Sequence, residues 1–309
     1  VLFRPDLAQL IPGKPAAIYF VDLPEPGVLS PAGAGRWMYV PLRFDGSAPP
    51  VPVDGWTPAL RAATGLPDLE PEVLDVQRVT IAAAVATAYR RGPGVLVGDA
   101  AHRTTPVPGV GLNTAVADGH ELGWKLAWVA RGIAGEELLD SHEAERAPIG
   151  LAVAARSLLP DRHPDDGLVG DLGRTHRSSV VAADDDRPAA RTDLAARPGE
   201  RAPHAWVRHG GRRASTLDLF DGHLTLVTGE DATWARASRT FGLQVLEAAP
   251  DSRLAHAYRL GPDTAVLVRP DGRVSWRADA ASIDPRAALA DAVGLTLGHA
   301  RTTAAALAG

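Results

Sequence analysis

Val95-Leu96-Val97-Gly98-Asp99-Ala100-Ala101-His102, then Pro106-Val107-Pro108-Gly109-Val110-Gly111-Leu112-Asn113, then a long amphipathic segment, is the stretch whose reading decides the fold. The first run predicts a buried strand that delivers an aspartate at its carboxyl end, the place where open α/β sheets collect ligands. Asp99 could accept hydrogen bonds from a sugar hydroxyl, with Gly98 allowing close backbone approach, or it could cap the turn that follows by bonding nearby amides. The glycines at 109 and 111 leave amides open just before a helix start, which favours a ligand carrying or developing negative charge. An ordinary Gly/Pro loop with Asn113 as N-cap is the other reading, and both can hold together. Gly109-Val110-Gly111 lacks the third glycine of a dinucleotide fingerprint, Thr114 standing in its place, and does not follow a strand directly.

Outward from this stretch, Leu112, Ala115, Val116, Leu122, Leu126, Ala127 and Ala130 keep a helical period, with Arg131 and Gly132 as the expected stop. A second helix is expected from about Glu136, bent or interrupted at Pro148. Upstream, Ala17–Val21, Trp37–Leu42 and Leu74–Ile81 have strand character, and Trp56–Ala63 suits a short helix stopped by Gly65. Trp37 and Tyr39 share one strand face. Val85–Tyr89 and Gly94–Val97 flank a turn at Arg90-Arg91-Gly92-Pro93. The polar, punctuated stretch from about Pro160 to Arg197, including Asp184-Asp185-Asp186, reads as a connection or a surface excursion, the aspartates as a solvated run. Beyond it, strands are expected at Leu217–Phe220, Leu224–Val227, Gln244–Leu246, Ala265–Val268 and Val274–Trp276, the last two joined by Pro270-Asp271-Gly272, and helices at Asp231–Phe241 and Pro285–Val293.

The 309 residues have room for two domains, with 45% hydrophobic and 22% charged content, and a net charge of -5 gives no electrostatic reason for a nucleic acid or anionic membrane partner. The absence of cysteine excludes disulfides and thiolate chemistry and fits a reducing cytoplasm. There is no stretch of membrane-spanning length, no Gly-X-Ser-X-Gly elbow, and no zinc-site spacing among the ten histidines, so no metal is expected. His102 is expected to be structural. The wealth of Ala, Arg, Gly and Pro hints at a bacterial, GC-rich source.

Gly98–His102, the Pro106–Asn113 loop, Asp118, Leu122-Gly123-Trp124-Lys125-Leu126 and Leu138–Arg146 resemble the second flavin motif of the FAD-dependent aromatic hydroxylases, the single-component flavoprotein monooxygenases, and its continuation. Arg197–His204, Ser215–Leu219 and Val268–Arg277 resemble the thioredoxin-like C-terminal domain of the larger members. The resemblance implies an α/β (mixed α+β) fold. It divides into a substrate-domain sheet portion at 1–85, the later part of an FAD-binding domain at 86–160, a linker at 161–196 and a thioredoxin-like domain at 197–309. It implies FAD held by Gly98, Asp99, Pro106, Gly109, Val110, Gly111, Leu112 and Asn113, reduced by NADPH or NADH, with oxygen captured as a flavin peroxide and passed to an aromatic or polyketide-like substrate. Trp37 and Tyr39 either pack the core or, as the resemblance of their segment to a substrate-domain sheet implies, line a cavity for an aromatic substrate. No residue receives a catalytic role, and a homodimer is the candidate oligomer. Thr105, Pro108 and Glu121 depart from the family pattern, where proline, glycine and asparagine are frequent. The family's N-terminal phosphate loop and later Asp-Gly segment do not lie in these residues, so FAD binding is expected to need an additional N-terminal part. A non-catalytic ligand-binding or assembly protein is the alternative, and a Baeyer–Villiger flavoenzyme a related one.

Overall fold

The computed structural model describes residues 1–4, 7, 16–22, 26–41, 55–106, 109–158, 173–182, 194–230, 232–279 and 284–299. The chain divides into two units, Val1–Thr80 and Ile81–Gly309.

The first unit is an antiparallel sheet of β1 (Leu2–Arg4), β2 (Tyr19–Val21), β3 (Gly27–Pro31), β4 (Trp37–Pro41) and β5 (Glu72–Asp75), in the order β2-β3-β4-β1-β5, with helix α1 (Trp56–Thr64). Strand alternation splits its residues cleanly. Phe3, Leu29, Trp37 and Tyr39 point inward and build a core with Trp56 and Leu60. The register pairs Phe20 with Val28, Val28 with Val40, and Leu2 with Met38 on the opposite face, where Phe20 and Met38 are exposed. Gly27 is required where the Tyr39 ring crosses it, because a Cβ there would lie 2.4 Å from Tyr39 Cε2. β4 runs to Pro41, and α1 stops at Gly65 in the left-handed region as expected. The strand expected over Leu74–Ile81 is confined to Glu72–Asp75, and Val79 and Ile81 lie exposed beyond it. Alternation reports a preference for extended backbone, not whether a partner strand is present.

The second unit starts with two small pairings. β6 (Ala84–Val85) pairs with β9 (His102–Arg103), and β7 (Arg90–Arg91) forms a hairpin with β8 (Gly94–Val95). Helices α2 (Gly111–Ala130) and α3 (Glu137–Ser157) follow, α2 stopping at Arg131 and Gly132 as read from the sequence. α3 runs through Pro148 as one helix, so of the two expected effects of that proline the interruption does not occur. A proline removes one helical donor, and the packing of Leu138, Ile149 and Val153 in the buried face holds the helix on both sides of it.

The C-terminal part carries a hairpin, β10 (Trp206–His209) and β11 (Arg212–Ser215), turned by Gly210 and Gly211, both at positive φ. Next come β12 (Thr225–Gly229), α4 (Ala232–Ser238), β13 (Gln244–Ala248), α5 (Arg253–Tyr258), β14 (Ala265–Val268), β15 (Val274–Ala278) and α6 (Pro285–Thr296). The sheet order is β13-β12-β14-β15, with β12 parallel to β13 and the other pairs antiparallel, a βαβ unit followed by ββα in the thioredoxin-like arrangement. β12 and β14 are buried throughout, as suits strands covered on both faces. Asp284 caps α6 and Pro285 occupies its first position. The expected strand at Leu217–Phe220 is instead a 3-10 turn, Thr216–Leu219, closed by a capping box between Ser215 and Asp218. Ser-X-X-Asp is a turn-initiating pattern that outweighs three apolar residues.

Of the expected linker, residues 173–182 and 194–196 are described, and several of them pack inward. Val180, Val181, Ala195 and Ala196 are buried, and the Ala182 amide donates to Ser275 O at 2.8 Å. The Asp184-Asp185-Asp186 run lies outside the described residues.

Candidate functional site

The segment that carries Asp99 is more open than its apolar pattern suggests. β8 ends at Val95, and Leu96 and Val97 are each 37% exposed, so the buried strand expected over Val95–Val97 is not formed. Hydrophobicity favours burial but does not supply the covering surface. At Gly98 the backbone takes φ +56 and enters a 3-10 turn, Gly98–Ala100, in which the Ala101 amide donates to Gly98 O at 2.8 Å. The turn lies flush on α2, since a Cβ at Gly98 would come 3.0 Å from Ala115 Cβ. Asp118 of α2 fastens it by accepting the Gly98 amide at 2.9 Å. Asp99 itself is exposed, and the turn has no side-chain cap. Among the described residues its carboxylate has no hydrogen-bond or ion-pair partner, so the capping reading falls away and the group is open to a ligand.

The loop that follows presents a second open set of polar groups. Pro106 and Gly109 are exposed, Gly109 at φ +79, while Val107 and Pro108 lie outside the described residues. Val110 is the N-cap of α2 and provides no capping side chain, so Asn113 sits one turn inside the helix rather than at the cap. Val110 is buried with Ile149 and Val153, whereas Leu112 and Asn113 are exposed. Gly111 leaves room for Thr104, whose Oγ1 would lie 2.9 Å from an added Cβ. The uncapped amides at Gly111–Asn113, with the helix dipole behind them, favour an electron-rich ligand edge. Gly98 against Ala115 and Gly111 against Thr104 bring both groups to the same end of α2. Trp37 and Tyr39 belong to the first unit and are core residues, 2% and 0% exposed, with the Trp37 ring tilted 41° to that of Tyr19 at 5.6 Å between ring centroids. The face they share looks into that core, not onto a cavity.

Beneath the open groups lies a buried ionic network that the sequence reading missed. Asp118 accepts from His102 Nε2 at 2.7 Å and Arg146 Nε at 2.6 Å. Burial works to raise its pKa, yet the His102 hydrogen bond, the Arg146 charge and the Gly98 amide hold it below the ordinary value. His102 is therefore structural as expected, bonded to a carboxylate rather than to backbone. Glu121 pairs with Lys125 one turn on and with His142 Nδ1 at 2.5 Å. Glu145 takes a two-pronged contact from Arg269, at 2.7 and 2.8 Å, together with Lys125, His176 and Ser178. Burial again opposes ionisation, and Arg269 and Lys125 overcome it, leaving Glu145 well below the usual carboxylate range. Glu121, Glu145 and Asp271 bring carboxylate oxygens within 4.8 Å of one another, a spacing that suits a metal ion. Lys125 and Arg269 already pair with all three. The sequence does hold a signal: Asp118, Glu121 and Lys125 recur at three- and four-residue spacing on the helix face with Leu122, a charged inward stripe.

Residues 1–157 match a family of FAD binding domains, and residues 195–300 match the C-terminal domain of aromatic-ring hydroxylases. The chain is 37% identical to the 4-methyl-5-nitrocatechol 5-monooxygenase of a Burkholderia species, over 76% of this chain and 49% of that protein. It is 35% identical to an aklavinone 12-hydroxylase of Streptomyces purpurascens, over 92% of this chain and 59% of the relative. A solved aklavinone-11 hydroxylase in ternary complex with FAD and aklavinone superposes with a TM-score of 0.81 at 33% identity, covering 96% of this chain and 61% of that one. The chain thus spans about half to three-fifths of the length of the relatives it matches.

Proposed function

The chain belongs to the FAD-binding aromatic-ring hydroxylases, and from that premise we propose that it is the flavin-ring and substrate-handling portion of a monooxygenase that hydroxylates an aromatic, polyketide-like compound with NADPH or NADH as reductant. The observation that carries this reading is the exposed Asp99 carboxylate, without a hydrogen-bond or ion-pair partner among the described residues, beside the uncapped start of α2. Asp99 and Gly98 take the ribose side of FAD. Pro106 and the backbone of Gly109, Val110, Gly111, Leu112 and Asn113 lie along the ring, where the amides and helix dipole stabilise negative charge. FAD, when bound, supplies the redox and oxygen chemistry, and the protein orients substrate and excludes water.

The substrate face is the one opposite Trp37 and Tyr39. Phe20 and Met38 are its exposed members, flanked by the half-buried Val28 and Val40, an apolar platform suited to a flat aromatic skeleton. Trp37 and Tyr39 support that platform from the core side. The division of labour is a substrate-domain sheet at 1–85, flavin contacts within 86–160, the connection at 161–196 and an accessory thioredoxin-like domain at 197–309. The complete catalytic cycle belongs to the longest natural form of the protein. Relatives named for nitrocatechol and aklavinone substrates support the aromatic class.

The test is the absorbance of that longest form purified with FAD. Flavin bands that bleach with NADPH under nitrogen and return in air are expected, and Asp99→Ala should weaken FAD retention about tenfold or more, the worth of a hydrogen bond to a charged group. A preparation that holds no flavin overturns the reading.

A further inference from the structure

A cavity of about 370 Å³ opens beside α2, within the second unit, against the hairpin between β14 and β15. None of its lining residues belongs to the Gly98–Asn113 segment. Its walls include Arg146, His176, Arg201 and Arg273, with Leu217 and Phe220 as an apolar side. Arg201 and Arg273 are partners in an isolated antiparallel bridge. Bridge partners project to the same side with Cβ atoms about 5 Å apart, and like charges so placed repel.

Among the described residues, the buried cations of this unit have carboxylate partners, unlike the half-buried Arg201 and Arg273. Arg146 has Asp118, and Arg269 has Glu145 and Asp271. Among the described residues, neither the Arg201 nor the Arg273 guanidinium has a carboxylate within ion-pair distance; that of Arg273 donates to the Arg174 carbonyl at 2.7 Å, and only its backbone amide reaches Asp271, at 3.2 Å. Burial lowers the Arg273 guanidinium to about 10; Asp271 opposes this, and Arg146 and Arg269 add to it. The carboxylates at the cavity are otherwise engaged, Glu121 by Lys125 and His142 and Asp271 by Arg269, which leaves Asp221 on the exposed rim.

His176 is the second observation. It is 2% exposed, and its Nδ1 donates to Glu145 at 3.0 Å. Its Nε2 is buried with no hydrogen-bond partner. Burial, then the Arg273 charge, lowers its pKa to about 3, so the ring is neutral and Nε2 is a bare acceptor. An orphaned acceptor beside two cations without carboxylate partners calls for a ligand that carries both an anion and an O–H or N–H donor.

We propose that this cavity binds a small organic oxyanion, a phosphomonoester or a carboxylate, clasped by Arg201 and Arg273, with a donor group on His176 Nε2 and an apolar portion against Leu217 and Phe220. The volume exceeds that needed for an inorganic ion and falls in the range of small-molecule pockets.

The experiment is calorimetric titration of the purified protein with phenyl phosphate and, separately, with benzoate, against chloride at matched ionic strength. Saturable binding at one site per chain is expected, and the tighter arm identifies the oxyanion. Arg201→Gln should weaken binding about tenfold or more. Asp221→Asn, which removes the rim's opposing charge, should tighten it about two- to fivefold, a gain that misfolding does not produce. The proposal fails if neither anion binds saturably, or if binding occurs and Arg201→Gln does not weaken it or Asp221→Asn does not strengthen it.

Discussion

Trp37 and Met38 are neighbours on one strand and answer to different constraints. Trp37 is enclosed by Phe3, Leu29 and Trp56, so Trp37→Ala removes a large buried ring and should cost about 3–5 kcal/mol in urea denaturation. Met38 projects from the other face and is 42% exposed, so Met38→Glu should change stability by about 0.5 kcal/mol or less. The same substitution should weaken binding of an aromatic polyketide to the full-length protein, measured by fluorescence quenching. If Met38→Glu destabilises as much as Trp37→Ala, the open face is not a platform. That Trp37 and Tyr39 share a side was legible from alternation; which side faces the core was not, because the side is set by where α1 docks. Asp99 followed a similar course: its residue type suggested either ligand or cap, and the turn's lack of a side-chain cap removes the second reading.

At the level of elements, α3 illustrates how close packing constrains a helix. Gly150 lies against Tyr89 and His102; a Cβ there would come 2.2 Å from Tyr89 Oη and 3.2 Å from His102 Cβ. Gly150→Ala should therefore destabilise the protein by about 1–3 kcal/mol despite the better helix propensity of alanine. A stability equal to or above that of the parent in urea would refute the contact. The existence and C-terminal stop of α2, the β14–β15 hairpin and the start of α6 were all readable, because Gly, Pro and capping residues act locally. Leu217–Phe220 and the region from Leu74 to Ile81 misled, since a short apolar or alternating run describes a tendency without naming a partner strand. The β10–β11 hairpin was equally readable from Gly210-Gly211 and went unnoticed because its strands are short and polar.

For the whole molecule, Glu145 joins α3 to the C-terminal sheet through Arg269. Glu145→Gln leaves that guanidinium buried without full compensation and should cost about 3–5 kcal/mol. His176 adds a pH dependence. Its pKa falls from 6.5 to about 3 on folding, so the unfolded chain takes up the proton first and stability declines as pH drops from about 6.5 towards 3. Glu145 and Asp271, held below their ordinary values, add a further loss once pH falls past the usual carboxylate range. The urea midpoint should thus be lower at pH 5 than at pH 7, and His176→Gln should flatten that difference; a parent midpoint independent of pH over this interval would contradict the buried neutral ring. The sequence by itself determined the local grammar of this protein: the turn at Gly98, the Gly/Pro loop before α2, the helix stops, and the α/β class to which those elements belong. The tertiary structure alone decided which motif residues face outward and which are locked inside, because the partners of Asp118, Lys125 and Glu145 lie as much as 124 residues away. A charge spaced along a helix reads the same whether it meets water or a guanidinium, and only folding brings the guanidinium to it.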